Sequence, residues 1–350
     1  MPKIAIIGTT TWGKTLGVVL SHKGLEVRLW ARTQQEAAEL RKAGPNSDLL
    51  PGATFPPQLS ITSSLDEALA EVRAVILVVP SQTMRQNIKL VQGYLDESMM
   101  VVSAAKGLEL GSCKRMSEVI AEEIDPRFHS NICVLSGPNL SREIIRDLPA
   151  ATVVAAEDEA VAREAQELLT APNFCVYTNG DVIGVELGGA FKNIIALGAG
   201  MVDGLGYGDN AKAAFITRGV IEMAALGLTL GANPLTFAGL AGVGDVITTC
   251  ASPLSRNHHV GAELTKGRSL KEITASMTGV AEGVNTTIAA RELAQRLGVE
   301  MPITEKIYQV LFEGADPRQT IVEAMAAEAR HELAGQKWEL SSLFKNEKRS

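Results

Sequence analysis

Short apolar runs, most of them continuous rather than alternating, recur through the first half of the chain. They are Ile4–Ile7, Glu26–Trp30, Ala74–Val79, Met100–Ala104, Ile132–Leu135, Thr152–Ala155 and Cys175–Tyr177. A strand that is apolar at every position needs cover on both faces, and a parallel sheet flanked by helices provides it. The spacers agree, since Lys14–His22, Glu36–Lys42 and Glu157–Leu169 read as helices. The fold class expected is therefore α/β, with an N-terminal Rossmann-like doubly wound sheet.

From about Val185 the texture changes to Ala, Leu, Gly, Met and Glu at helical spacing. Helices are expected over Asn210–Leu228, Gly283–Leu297, Ile303–Phe312 and Thr320–His331, with Pro302 at a start and Gly298 at an end. The organisation expected is a dinucleotide-binding domain over 1–186, an all-helical substrate and catalytic domain over 187–340, and a charged tail over 341–350.

At 350 residues, two domains are natural. A net charge of −7 gives no general drive toward nucleic acid or an anionic membrane, so a phosphate ligand needs a local cationic pocket. Cys113, Cys133, Cys175 and Cys250 form no CxxC, and all four are expected as small buried residues without disulfide or metal. With a strand expected from Ile4, no leader peptide is expected, and apolar runs of only about seven residues are short of a membrane span. The expected location is the cytoplasm.

The stretch "IAIIGTTTWGKTLG" runs from a strand through Gly8 into a helix, with Gly13 close behind. Backbone N–H groups and the helix dipole at such a turn favour a pyrophosphate. The middle glycine of G-x-G-x-x-G is replaced by Thr10, whose hydroxyl is expected to reach a phosphate. Arg32 follows the second strand, where an acidic residue commonly binds the ribose hydroxyls, and it suits a 2′-phosphate or stacks on adenine. NADPH is expected to be accepted well.

Further along, "GVELGGAFKNIIALGAGMVDG" sets Lys192 alone on an apolar, glycine-rich helix. Gly188, Gly189 and Ala196 surround it with small residues, an expected seat for a planar ring. Lys106 ends a strand, Gly137 and Asn139 lie on the turn "LSGPNLS", and Asp245 follows "GVG". Ser255, Arg256 and Asn257 form a cluster suited to gripping a phosphate.

With these stretches in hand, and with "AAKGLE", "GDNAKAAFITRG", "GVGDVITTC" and "EMPI", the chain resembles the bacterial NAD(P)-dependent glycerol-3-phosphate dehydrogenase family over nearly its whole length. The resemblance implies reversible hydride transfer between NADPH or NADH and dihydroxyacetone phosphate, giving sn-glycerol 3-phosphate for phospholipid synthesis. It implies Lys192 as general acid/base. It also implies Lys106, Gly137, Asn139, Lys192, Asp245, Ser255, Arg256 and Asn257 as substrate contacts. Thr11, Trp12, Arg32, Lys106, Ser141, Arg256, Val280 and Glu282 are implied at the dinucleotide. The chain departs from the family pattern in three places: Gly8-Thr9-Thr10-Thr11 stands for Gly-Ala-Gly-Ser, Asn139 for Ser or Thr, and Ser141 for Ala. A homodimer is expected. A β-hydroxyacid-type dehydrogenase and a non-catalytic NADPH sensor remain open as alternatives on the residues alone.

Overall fold

The structure of the chain, a computed structural model, describes residues 2–45, 54–277 and 279–326. The tail expected over 341–350 and the last turn of the helix expected over Thr320–His331 lie outside the described residues. The chain divides into two compact units. One comprises Met1–Glu109 and Lys114–Glu186, the other Leu110–Cys113 and Leu187–Ser350.

The first unit is built on strands β1 (Lys3–Ile7), β2 (Glu26–Trp30), β3 (Leu59–Thr62), β4 (Ala74–Leu77), β5 (Met100–Ser103), β6 (Ile132–Ser136), β7 (Ala150–Ala155) and β8 (Phe174–Asn179). They form one sheet in the order β3-β2-β1-β4-β5-β6-β7-β8. Every pairing is parallel except β6 with β7. Helices α1 (Thr11–His22), α2 (Gln34–Ala43), α3 (Leu65–Leu69), α4 (Met84–Val91), α5 (Met116–Glu123), α6 (Ser141–Ile144) and α7 (Glu159–Leu169) complete the unit.

Successive residues of a strand point to opposite faces, and β1 feeds two cores in this way. Ile4 and Ile6 join Leu16 and Leu20 of α1, while Ala5 and Ile7 join Met84 and Ile88 of α4. Both faces are therefore dry, which is why the central strands read as unbroken apolar runs. At the edge, β8 alternates: Phe174 and Val176 are buried, whereas Cys175 and Tyr177 are exposed. Cys175 thus departs from the expected burial of all four cysteines, because one face of an edge strand meets solvent.

The second unit takes α8 (Val182–Gly204) from Leu187 onward. It continues with α9 (Gly208–Thr229), α10 (Pro234–Phe237), α11 (Asp245–Ala251), α12 (Arg256–Leu264), α13 (Leu270–Ser276), α14 (Glu282–Leu297), α15 (Pro302–Phe312) and α16 (Pro317–Ala326). By length and composition α8 could cross a membrane, but 83% of its apolar stretch is buried in the protein, as in a core helix. The other such stretch, Pro234–Ala251, is broken at Gly242, where the backbone leaves helical geometry.

Glu222 of α9, nearly fully buried, caps α15 by accepting the backbone N–H groups of Ile303 and of Thr304 (3.1 Å). Burial pushes its carboxyl up to about 8, with the two backbone donors opposing. A raised carboxyl pKa gives stability that is complete below the unfolded value of about 4.5 and lost as pH rises through about 8. Glu222→Gln is therefore expected to match the wild-type Tm near pH 5 and exceed it near pH 9. Parallel calorimetric curves at both pH values would disprove this.

Candidate active site

In the first unit, the β1–α1 turn is shaped by steric need. Gly8 has φ +118°, and a side chain there would run into the Val78 carbonyl. A Cβ at Gly13 would strike the Gly8 carbonyl. Thr10 caps α1: its Oγ1 accepts the Gly13 N–H (3.1 Å) and donates its only proton to the Val78 carbonyl (3.1 Å). The hydroxyl expected to reach a phosphate is thus spent inside the turn. What remains for an anion is the backbone N–H of Thr11 and Trp12, which a first helical turn leaves without intrahelical partners. The Trp12 ring packs against Phe174, centroids 6.0 Å apart, and its indole N–H is buried without a hydrogen-bond partner. Arg32 is exposed just beyond β2.

The C-terminal ends of β5 and β6 carry a second polar group. Lys106 donates to the Gly137 carbonyl (2.7 Å). The Asn139 amide donates to Thr152 Oγ1 (3.0 Å), which in turn donates to the Ser136 carbonyl (2.9 Å). Ser103 Oγ, Ser136 Oγ and Asn139 Oδ1 are buried without a hydrogen-bond partner. Buried polar atoms are rarely left so, and their gathering at the edge where open α/β sheets bind ligands fits a polar ligand group. Ser141 opens α6 close by in sequence.

In the second unit, α8 presents Lys192 to α11. Its ammonium donates to Asp245 Oδ1 (3.0 Å) and Thr249 Oγ1 (2.8 Å), and Thr249 donates to the same Asp245 oxygen (3.2 Å). The Asp245 side chain is 1% exposed and that of Lys192 11%. Thr249 was not anticipated from sequence, where a threonine in "VITTC" is ordinary. The available signal was its place one turn after Asp245. Nearby Cys250 is unreactive, its thiol pushed up to about 12 by burial.

Gly188 explains how Asp245 arrives. A Cβ at Gly188 would overlap the Ala241 carbonyl, so the backbone of the α10–α11 connection lies directly on α8 there. That part of the small-residue face is a seat for this chain's own backbone, not for the planar ring expected of it.

The Ser255–Asn257 cluster forms the start of α12. Ser255 Oγ caps the helix by accepting the His258 N–H (3.2 Å). Asn257 is buried, donating to Asn193 Oδ1 (2.8 Å) and accepting the Gly283 N–H (3.0 Å). It ties the residue after Lys192 to the first turn of α14 and keeps one N–H in hand. Part of Arg256 is exposed, while its guanidinium packs on Gly279, where a Cβ would overlap it. Burial of that group lowers its pKa, with Glu282 opposing. Val280, exposed, and Glu282, at the start of α14, flank the same turn.

Comparison with known proteins matches both units. Residues 3–162 match the NAD-dependent glycerol-3-phosphate dehydrogenase N-terminus, and residues 181–322 its C-terminus. A glycerol-3-phosphate dehydrogenase [NAD(P)+] of Dehalococcoides mccartyi is 60% identical over 346 residues, covering 99% of this chain and 96% of that protein. One from Geobacter metallireducens is 47% identical, covering 94% and 98%. The crystal structure of the glycerol-3-phosphate dehydrogenase of Coxiella burnetii superposes with TM-score 0.87 at 35% identity, over 93% of this chain and 99% of that one.

Proposed function

The chain belongs to the NAD-dependent glycerol-3-phosphate dehydrogenase family and is an NAD(P)-linked oxidoreductase of glycerol 3-phosphate, and from that premise we propose how its own residues carry the reaction. The reaction is reversible reduction of dihydroxyacetone phosphate to sn-glycerol 3-phosphate, a precursor for phospholipid synthesis. The observation that carries the reading is the Lys192–Asp245–Thr249 contact set.

The residues fit a dinucleotide. Gly8 and Gly13 sit where side chains are sterically barred, the Thr11 and Trp12 N–H groups face outward from α1, and buried polar atoms at Ser103, Ser136 and Asn139 lack partners. Thr11 and Trp12 would hold the pyrophosphate and Arg32 the adenosine end. Lys106, Ser141, Arg256, Val280 and Glu282 are the further residues proposed to contact the dinucleotide. When bound, NADH or NADPH supplies the hydride.

The protein's task is then orientation and one proton. An ammonium has three N–H groups, and two of those on Lys192 are committed to Asp245 and Thr249. The third is aimed by default, because the other two fix its direction. It meets the C2 oxygen of dihydroxyacetone phosphate, stabilises the charge that develops there, and transfers its proton. In the oxidative direction, neutral Lys192 takes the hydroxyl proton of glycerol 3-phosphate. Asp245, fully buried, acts by holding Lys192. Arg256 binds the substrate phosphate, with Ser255 and Asn257 building the turn that presents it, and Lys106, Gly137 and Asn139 complete the substrate contacts. A homodimer in the cytoplasm completes the proposal, supported by the exposed Leu235, Ile247 and Val322 of the helical unit.

The test is steady-state oxidation of NADH and of NADPH with dihydroxyacetone phosphate, against small 2-keto acids as competitors. Turnover confined to the triose phosphate is expected. Preferential turnover of a keto acid would favour the hydroxyacid dehydrogenase alternative, and none at all would favour the sensor.

A further inference from the structure

The side chain of Thr9, in the glycine turn, reaches a partner on the helix that follows β2. Thr9 Oγ1 donates to Glu36 Oε1 (2.5 Å), and the backbone N–H of Arg32 donates to Glu36 Oε2 (2.8 Å). Glu36 lies in the first turn of α2, whose cap is Thr33, accepting the Glu36 N–H (3.1 Å). A glutamate three residues after a helix cap ordinarily turns back onto the cap itself. Here the carboxylate reaches one residue further, to Arg32, and across to the glycine turn. It is held at both ends by loops that leave adjacent parallel strands, since Ile7 of β1 pairs with Trp30 of β2.

That position is chemically loaded. In this architecture, the end of the second strand is where a carboxylate accepts the adenosine ribose hydroxyl or an arginine receives a 2′-phosphate. This chain has both: Arg32 on the loop, and a carboxylate delivered from α2 and fixed by two hydrogen bonds. Each carboxylate oxygen keeps a further acceptor site for a ribose hydroxyl. Toward a 2′-phosphate, the same fixed negative charge is repulsive, and building in repulsion is how specificity is set against a close relative of the right ligand. A residue without a hydroxyl at position 9 could not hold the carboxylate this way.

We propose that Glu36, fixed by Thr9, is the specificity-determining residue at the adenosine end: it favours the 2′-hydroxyl of NADH and opposes the attraction of Arg32 for NADPH. The proposal rests on the dinucleotide reading of the first unit. It tempers the expectation from Arg32 alone that NADPH is accepted well, because Arg32 and Glu36 pull in opposite directions.

The test is equilibrium binding, read by protein-fluorescence titration with NADH and NADPH separately, without substrate. Glu36→Gln keeps an oxygen to accept the Arg32 N–H and turns its amide N–H to the Thr9 hydroxyl, which then accepts, while the charge is removed. It is expected to tighten NADPH about tenfold relative to NADH, the effect of about 1.4 kcal/mol of lost repulsion. Thr9→Ala keeps the charge but frees it, and should move the ratio in the same direction by less. A ratio unchanged within twofold in Glu36→Gln, with wild-type protein binding both dinucleotides, overturns this inference and leaves the function intact. Wild-type protein that binds neither overturns the functional reading and this inference with it.

Discussion

Replacing Lys192 with alanine is expected to lower kcat by about 10³- to 10⁴-fold, the range seen when a positioned acid/base and its charge stabilisation are lost together. Dinucleotide affinity should stay within about twofold of wild type, since the groups proposed to hold the pyrophosphate lie in the other unit. Alanine also strands Asp245, 1% exposed, without its cation, and removing one partner of a buried pair is costly in itself. A lower Tm is therefore expected for Lys192→Ala, and activity loss alone would be ambiguous. Lys192→Gln resolves this. Its amide can donate to Asp245 or Thr249 but has no proton to transfer at neutral pH. It should recover part of the Tm and none of the turnover. Near-normal turnover in either variant removes Lys192 from the chemistry.

Much of this arrangement is visible before any coordinates. The central strands announce themselves because they are dry on both faces, so β1, β4, β5 and β6 read as apolar runs. Strand β3 escapes the same reading. It is four residues long at the sheet edge, and exposed Ser60 breaks its apolar pattern. The antiparallel turn of β7 against β6 is invisible in sequence because strand direction is set by distant pairing, not local pattern. Lys192 stands out as a lone cation in an apolar helix, whereas Thr249 does not, since helical threonines are common. Composition could show that the Lys192 helix has small residues around Gly188, but not that the backbone of Ala241 and Gly242 approaches them. Thr10 makes the same point. Its hydroxyl was legible, but its destination depended on Val78, whose carbonyl takes the proton.

Arg256→Ala is expected to lower kcat/KM for dihydroxyacetone phosphate by about 100- to 1,000-fold, the usual loss when one side of a desolvated, charge-assisted contact is removed. The loss should fall mainly on KM, because the phosphate does not react and its grip is already made in the ground state. Lysine at this position should restore little, since it lacks the planar fork that pairs with phosphate oxygens. The stability readout runs the other way. Burial among protein atoms lowers the pKa of Arg256, with Glu282 opposing, so the folded state disfavours its charged form. Deleting that group should leave Tm unchanged or raise it, as when residues are kept for function at the expense of stability. A fall in Tm that parallels the lost activity would make Arg256 structural. A selective loss of dinucleotide affinity, with substrate KM intact, would assign it to the nucleotide instead. A rise in KM that outweighs any loss of dinucleotide affinity, with Tm unimpaired, is what a residue that grips the substrate phosphate and also borders the dinucleotide requires.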